Sequence, residues 1–121
     1  MRLPKGFLLL LAGLFALLCA PVFAEDQKNG GKMTIWIDVR TPEEYAQGHI
    51  PGSINIPYEI IGQEINSVTR DVDSDIRVYC RTGRRSGIAM DTLKGLGFAN
   101  VINEGGFEDL LNRKAQGEPI P

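Results

Sequence analysis

The chain has 121 residues, of which 43% are hydrophobic and 23% charged, and its formal net charge is -2. This length allows one ordinary domain rather than two, and the composition is typical of a globular protein rather than a disordered or fibrous one. A slightly acidic balance argues against broad nucleic-acid binding, which depends on clustered basic residues, so no nucleic-acid partner is expected.

The N-terminal segment, residues 1–24, differs in composition from the rest of the chain. Arg2 and Lys5 form a short positive region, residues 7–18 are almost entirely apolar, and small side chains precede a polar run that starts directly after Ala24. This order is that of a secretory signal peptide. We therefore expect cleavage after Ala24, export to the periplasm, and a flexible lead-in over residues 25–32.

Two other interpretations of this segment remain open. It could be an uncleaved membrane anchor, although the apolar run is shorter than the about 20 residues that span a bilayer. Cys19 could be a lipid-modified N-terminal cysteine, although such a site favours a small residue before it and Leu18 stands there. With cleavage after Ala24, no stable membrane anchor is expected.

The cysteine count points to a reactive thiol. The chain has two cysteines, and removal of the signal peptide would leave Cys80 without a partner for an internal disulfide. An odd cysteine in an oxidising compartment either pairs with another molecule or is chemically active.

The residue pattern beyond the lead-in predicts alternating strands and helices. Strands are predicted over residues 33–39, 53–56, 76–79 and 100–102, helices from 41 to near 48 and over 58–68, 86–96 and 107–114, a turn at 104–106, and a frayed tail at 117–121. Such alternation predicts an α/β fold with a central parallel sheet flanked by helices. In these sheets, sites form at the carboxyl ends of strands, where Cys80 lies.

The first helix has a clear start signal. Thr41 is a good N-cap, Pro42 suits the first helical position, and Glu44 is three residues after the cap, as in a capping box.

The segment that follows the third predicted strand carries the chemistry. Cys80 is followed by three arginines, Arg81, Arg84 and Arg85, and by Gly83, just before a predicted helix. The helix N-terminus and the cationic side chains both favour thiolate over thiol, so we expect a lowered pKa for Cys80. The same groups would bind an anion beside the sulfur. A loop of glycine and arginines is also a poor place to bury a thiol.

Three segments of the sequence resemble the rhodanese family. Residues 36–57 read WIDVRTPEEYAQGHIPGSINIP, residues 80–86 read CRTGRRS, and residues 103–107 read NEGGF. They resemble, in the family's order, its N-terminal signature, its active-site loop and its C-terminal signature. With the export signal, the chain resembles the single-domain periplasmic rhodaneses of the phage-shock type.

The resemblance implies a rhodanese domain over residues 33–116 and a sulfurtransferase activity. Cys80 would be the nucleophile, taking the outer sulfur of thiosulfate as a persulfide and passing it to cyanide or to a thiol acceptor, with no metal or organic cofactor. The residues implied in binding the substrate are those of the loop: Arg81, Thr82, Gly83, Arg84, Arg85 and Ser86.

Three further residues of the signatures are interpreted as structural. Asp38 and Arg40 follow the first strand, and Asp38 could face the loop and pair with an arginine. His49 is the only histidine, but the transfer needs no general base once Cys80 is a thiolate.

Two other functions are considered. Cysteine phosphatases and arsenate reductases have a loop of the form Cys, five residues, Arg, whereas Arg85 is five positions after Cys80 and Ser86 is six, so the present loop is one residue shorter. A non-catalytic rhodanese-like binding module is the other possibility, although such modules usually lack the cysteine.

Overall fold

The computed structural model describes residues 33–121, so the predicted signal peptide and lead-in lie outside the described residues. The elements in chain order are β1 (Ile35–Asp38), α1 (Pro42–Ala46), β2 (Ile54–Asn55), α2 (Ile61–Glu64), a 3-10 turn (Ile65–Ser67), β3 (Ile76–Cys80), α3 (Arg84–Gly95), β4 (Val101–Gly106) and α4 (Phe107–Ala115). Within this part of the chain, no helix is long and apolar enough to cross a membrane.

Among the described residues, the strands form one parallel sheet in the order β2-β1-β3-β4, which confirms the predicted α/β class. β3 lies between β1 and β4, and the carboxyl ends of all these strands meet at one edge. Cys80 is the last residue of β3 and pairs with Gly106 at the end of β4. The sheet therefore places Cys80 where parallel sheets form their sites.

The sheet has an apolar layer on each face because side chains alternate along a strand. Ile37 and Val78 point to one face and pack with Ile61 and Leu93, from α2 and α3. Trp36 and Tyr79 point to the other face. They pack with Ile50, which lies between α1 and β2, and with Leu110 of α4. Cys80 is two residues after Val78, so its side chain points to the same face of the sheet and belongs to the first cluster, beneath α3.

The start of α1 confirms the predicted capping box. The backbone N–H of Glu44 donates to the Thr41 hydroxyl (3.1 Å), and the Glu44 carboxylate accepts from the Thr41 backbone N–H (3.0 Å). Pro42 occupies the first turn, where its missing N–H costs nothing. Glu44 is thereby fixed at the carboxyl edge of the sheet.

The predicted helix over 58–68 is shorter and less regular than the sequence suggested. Regular α-helix covers only Ile61–Glu64 and continues as the 3-10 turn. Its N-cap, Ile60, makes no side-chain capping hydrogen bond, so the first turn lacks the stabilisation that Thr41 gives α1. The apolar positions still face the core, because Ile61 and Ile65 are fully buried.

The predicted turn at residues 104–106 is wrong, because these residues belong to β4. The strand continues through an irregularity: Val78 pairs with Asn103 and Cys80 with Gly106, so β4 has one more residue than β3 between these pairs. Such a bulge lets a strand accommodate a glycine pair that otherwise reads as a turn.

The C-terminal tail differs from the frayed segment that its composition suggested. Ile120 is 8% exposed and packs with Trp36, Tyr79 and Leu110. The backbone N–H of Glu118 donates to the Arg113 carbonyl (3.1 Å), which turns the tail back toward the sheet. Ile120 therefore packs against the core, and the Arg113–Glu118 ion pair and the Lys114 Nζ–Pro121 carbonyl hydrogen bond (2.7 Å) also hold the tail.

Candidate active site

Cys80 is fully buried, at 0% exposure, which corrects the expectation that its loop would be a poor place to bury a thiol. The reason is its position on β3, because Cys80 lies on the same face of the strand as Val78 and its side chain points toward the core under α3. A buried thiolate is costly unless hydrogen bonds replace its lost hydration. The surroundings of the sulfur therefore decide whether Cys80 is inert or activated.

The loop and the start of α3 direct hydrogen-bond donors at the sulfur. The Gly83 backbone N–H lies 2.9 Å from Cys80 Sγ, and the Ser86 hydroxyl lies 3.4 Å from it. Burial raises the pKa of the Cys80 thiol, but hydrogen bonds from the Ser86 side chain and from the backbone N–H groups of Ser86, Gly83 and Thr82 outweigh burial and lower the pKa below its ordinary value. The predicted lowering is thus confirmed, with hydrogen bonds as its main source.

The loop keeps its shape through two glycines. Gly83, the N-cap of α3, has φ +102°, a left-handed conformation that directs its N–H toward the sulfur. Gly106 passes so close to the loop that a Cβ there would collide with the Arg81 carbonyl oxygen. The end of β4 therefore supports the loop after Cys80 directly.

Asn103 of β4 joins the loop to the sheet. Its side-chain oxygen accepts from the Ser86 hydroxyl (2.7 Å) and from the Gly105 N–H (2.9 Å), while its amide group donates to the Gly83 carbonyl (3.0 Å). These partners fix which end of the amide faces Ser86. Sequence reasoning placed Asn103 in a family signature but gave it no role, and its only signal was its place before the glycine pair.

Two of the three loop arginines bind Glu44 rather than pointing at the sulfur. Arg85 makes a two-pronged contact with both carboxylate oxygens (2.8 and 3.1 Å), and Arg81 contacts the second oxygen through Nε (3.0 Å) and Nη2 (2.9 Å). The side chains are 20% and 60% exposed for Arg85 and Arg81, and 17% for Glu44. Sequence analysis identified Glu44 only as a helix cap.

The other residues predicted to bind the substrate differ in how close they lie to the sulfur of Cys80. Arg84 and Thr82 are exposed at the surface of the loop. Within residues 33–121, Arg84 makes no ion pair. The structure therefore brings Gly83 and Ser86 to the sulfur, together with the Thr82 backbone, and leaves the Arg84 side chain to solvent.

Asp38 and Arg40 have the structural role expected of them. Asp38 is fully buried and binds Arg40 through Nε (2.9 Å) and Nη2 (2.7 Å), not a loop arginine. Arg40 also donates to the Gly48 carbonyl (2.7 Å) and lies 4.5 Å from the centre of the Phe107 ring. The pair therefore ties β1 to the segments beside the loop.

His49 also acts in packing. Its ring stacks on Tyr45 at 3.6 Å between centroids, and its Nδ1 is 2.8 Å from the Tyr45 carbonyl.

Comparison with known proteins agrees with this geometry. The sequence model of the protein family described as Rhodanese-like domain matches residues 21–113 of this chain. The chain is 40% identical to thiosulfate sulfurtransferase PspE of Escherichia coli over 113 residues, which is 93% of this chain and 98% of that protein. It is 37% identical to thiosulfate sulfurtransferase GlpE of Pseudomonas entomophila over 60% of this chain and 65% of that protein. A solved rhodanese with anions from E. coli superposes with a TM-score of 0.63 at 37% identity, over 74% of this chain and 95% of that one.

The fold and the site define a small α/β enzyme domain with an activated cysteine at the carboxyl edge of a parallel sheet. The chain belongs to the rhodanese-like domain family. Its relatives support a sulfurtransferase role for it.

Proposed function

We propose that the protein transfers the outer sulfur of thiosulfate to a thiophilic acceptor through a persulfide on Cys80. The observation that carries the proposal is the convergence of the Gly83 N–H and the Ser86 hydroxyl on Cys80 Sγ, with the lowered pKa that results. The thiolate is the nucleophilic form of cysteine, and a lowered pKa provides it near neutral pH. The names of the relatives PspE and GlpE supply thiosulfate as the donor.

The first step forms one bond and breaks one. The Cys80 thiolate attacks the outer sulfur of thiosulfate, and the sulfur–sulfur bond of the donor breaks with its electron pair leaving on sulfite. The total charge is unchanged, because thiolate and thiosulfate become persulfide anion and sulfite. The donors that stabilise the thiolate are then positioned to stabilise the persulfide anion as well.

The second step returns the enzyme to its starting state. Cyanide, or the thiolate of an acceptor, attacks the outer sulfur of the persulfide, and Cys80 leaves as thiolate. The products are thiocyanate or an acceptor persulfide. No proton transfer is needed, which agrees with the structural position of His49.

The decisive variant is Cys80→Ser. It should abolish thiocyanate formation from thiosulfate and cyanide while leaving the circular dichroism spectrum unchanged. Cys80→Ala is the matched control for the hydroxyl, and it should be equally inactive. Turnover retained by either variant would refute the mechanism, and hydrolysis of a phosphate ester by the wild type would favour the phosphatase-like alternative.

We also propose that the protein acts in the periplasm after cleavage behind Ala24. The proposal rests on the order of charged, apolar and small residues in the N-terminal segment. Expression of the full chain with N-terminal sequencing of the periplasmic fraction tests it. Glu25 as the first residue is expected, and an intact N-terminus in the membrane fraction would show an anchor instead.

A further inference from the structure

We propose that Glu44 sets the charge selectivity toward the sulfur donor, because its carboxylate, held in place by Arg85, competes with an anionic donor for the guanidinium group of Arg81. The consequence is a weaker preference for dianionic donors over less charged ones than the loop arginines alone would give. This inference rests on the proposed function, since it concerns the donor of the same site.

The contacts of Glu44 show the competition directly. Both carboxylate oxygens are bound by guanidinium groups, with Arg85 on both and Arg81 on one. A sulfonate presents coplanar pairs of oxygens to a guanidinium much as a carboxylate does. The same N–H groups cannot serve both at full strength, so a donor must share or displace Glu44.

The two arginines differ in how readily they can leave Glu44. Arg81 is 60% exposed, and an exposed ion pair contributes little because water replaces it at small cost. Arg85 is only 20% exposed and holds both oxygens of Glu44. Arg81 is therefore the residue that turns to the donor, while Arg85 keeps Glu44 in place and acts as a positioning residue.

The Arg81–Glu44 pair is reachable from solvent. Both residues line a cavity of about 160 Å3, together with Gln47, Phe107 and Glu108. Glu108 adds a second carboxylate to the same wall, and Arg40, which is paired with Asp38, adds a second guanidinium.

Protonation does not relieve this competition. Hydrogen bonding to Arg85 is the main reason that the pKa of Glu44 lies far below its ordinary range. Glu44 is therefore charged at every pH at which Cys80 reacts, and only substitution can remove its effect.

Glu44→Gln tests the proposal cleanly, because glutamine preserves the capping box of α1 while removing the charge. KM is measured for thiosulfate, a dianion, and for methanethiosulfonate, a monoanion. We expect KM to fall about fivefold for thiosulfate and about twofold for methanethiosulfonate, because the relief scales with donor charge. Glu43→Gln is the matched control: it removes the same charge from the same exposed helix turn and should leave the ratio of the two KM values unchanged.

The outcomes separate the two proposals. An unchanged or higher KM for thiosulfate in Glu44→Gln, with a native circular dichroism spectrum, would overturn the role of Glu44 and show that it orders the arginines for binding. Equal changes for both donors would also overturn it. If glutamine prevents folding, Glu44→Asp keeps the charge but withdraws it from the arginines by one methylene, and a smaller decrease in KM, again larger for thiosulfate than for methanethiosulfonate, is expected. Failure of the wild type to take sulfur from either donor would refute the proposed function itself.

Discussion

The hydroxyl of Ser86 donates to the side-chain oxygen of Asn103 at 2.7 Å, and the same hydroxyl lies 3.4 Å from Cys80 Sγ. It also lies 3.1 Å from the Gly83 carbonyl. A hydroxyl has one proton, so these acceptors share it. When Cys80 ionises, the sulfur becomes the strongest acceptor, and the proton is expected to turn toward it. The Ser86–Asn103 pair thus adjusts to the charge state of the nucleophile.

Replacing Ser86 with Ala should raise the pKa of Cys80. The Ser86 side chain is the largest of the interactions that lower this pKa, and burial alone would raise it. The pH profile of Cys80 alkylation by iodoacetamide should shift to higher pH, while the limiting rate above the pKa stays within about threefold. Thr82→Ala is the control, because Thr82 acts through its backbone N–H, and its profile should match the wild type.

Replacing Asn103 with Asp should raise the pKa of Cys80 above that of both the wild type and Asn103→Ala. A carboxylate would hold the Ser86 proton more strongly, repel the thiolate and lose the donor to the Gly83 carbonyl. The same alkylation profile measures both variants. Identical profiles for Asp and Ala would mean that Asn103 acts only by packing.

The backbone contact between β4 and the loop predicts opposite effects for two glycines. Gly106→Ala should destabilise the protein by about 1–3 kcal/mol, because its Cβ would collide with the Arg81 carbonyl. Gly95→Ala should stabilise it by about 0.5–1 kcal/mol, because Gly95 lies in α3 with open space around it. Urea unfolding of both variants measures the difference. A stable Gly106→Ala with normal turnover would show that the loop does not need this close approach.

The C-terminal tail should contribute to stability chiefly through the burial of Ile120. Ile120→Ala should lower the free energy of unfolding by about 2 kcal/mol, because Ile120 packs among Trp36, Ile50 and Leu110. Ile88→Ala is the control, because Ile88 is 40% exposed, and its effect should be clearly smaller, within about 1 kcal/mol. Equal effects would indicate that the tail detaches in solution.

The fold was predictable where local signals decide structure. The capping box at Thr41, the buried strand before Cys80 and the helix after it follow from residue order alone, and each appears in the structure. The lowered pKa of Cys80 was also predictable, because a glycine loop at a helix N-terminus directs N–H groups toward a preceding side chain.

The relationships that sequence could not give are those between distant segments. Glu44 and Arg85 are 41 positions apart, and nothing in their local patterns pairs them. The bulge that turns residues 104–106 into strand depends on the register of β4 against β3. Likewise, Cys80 is buried because it lies on the core-facing side of β3, although the polar composition of the loop after it suggested an exposed thiol.

The most direct test of the central claim is the intact mass of the protein before and after incubation with thiosulfate. A sulfurtransferase acting through Cys80 should gain one sulfur atom, lose it on addition of cyanide, and show no gain in Cys80→Ser. A wild-type protein that gains no sulfur, or a Cys80→Ser variant that does, would contradict the account.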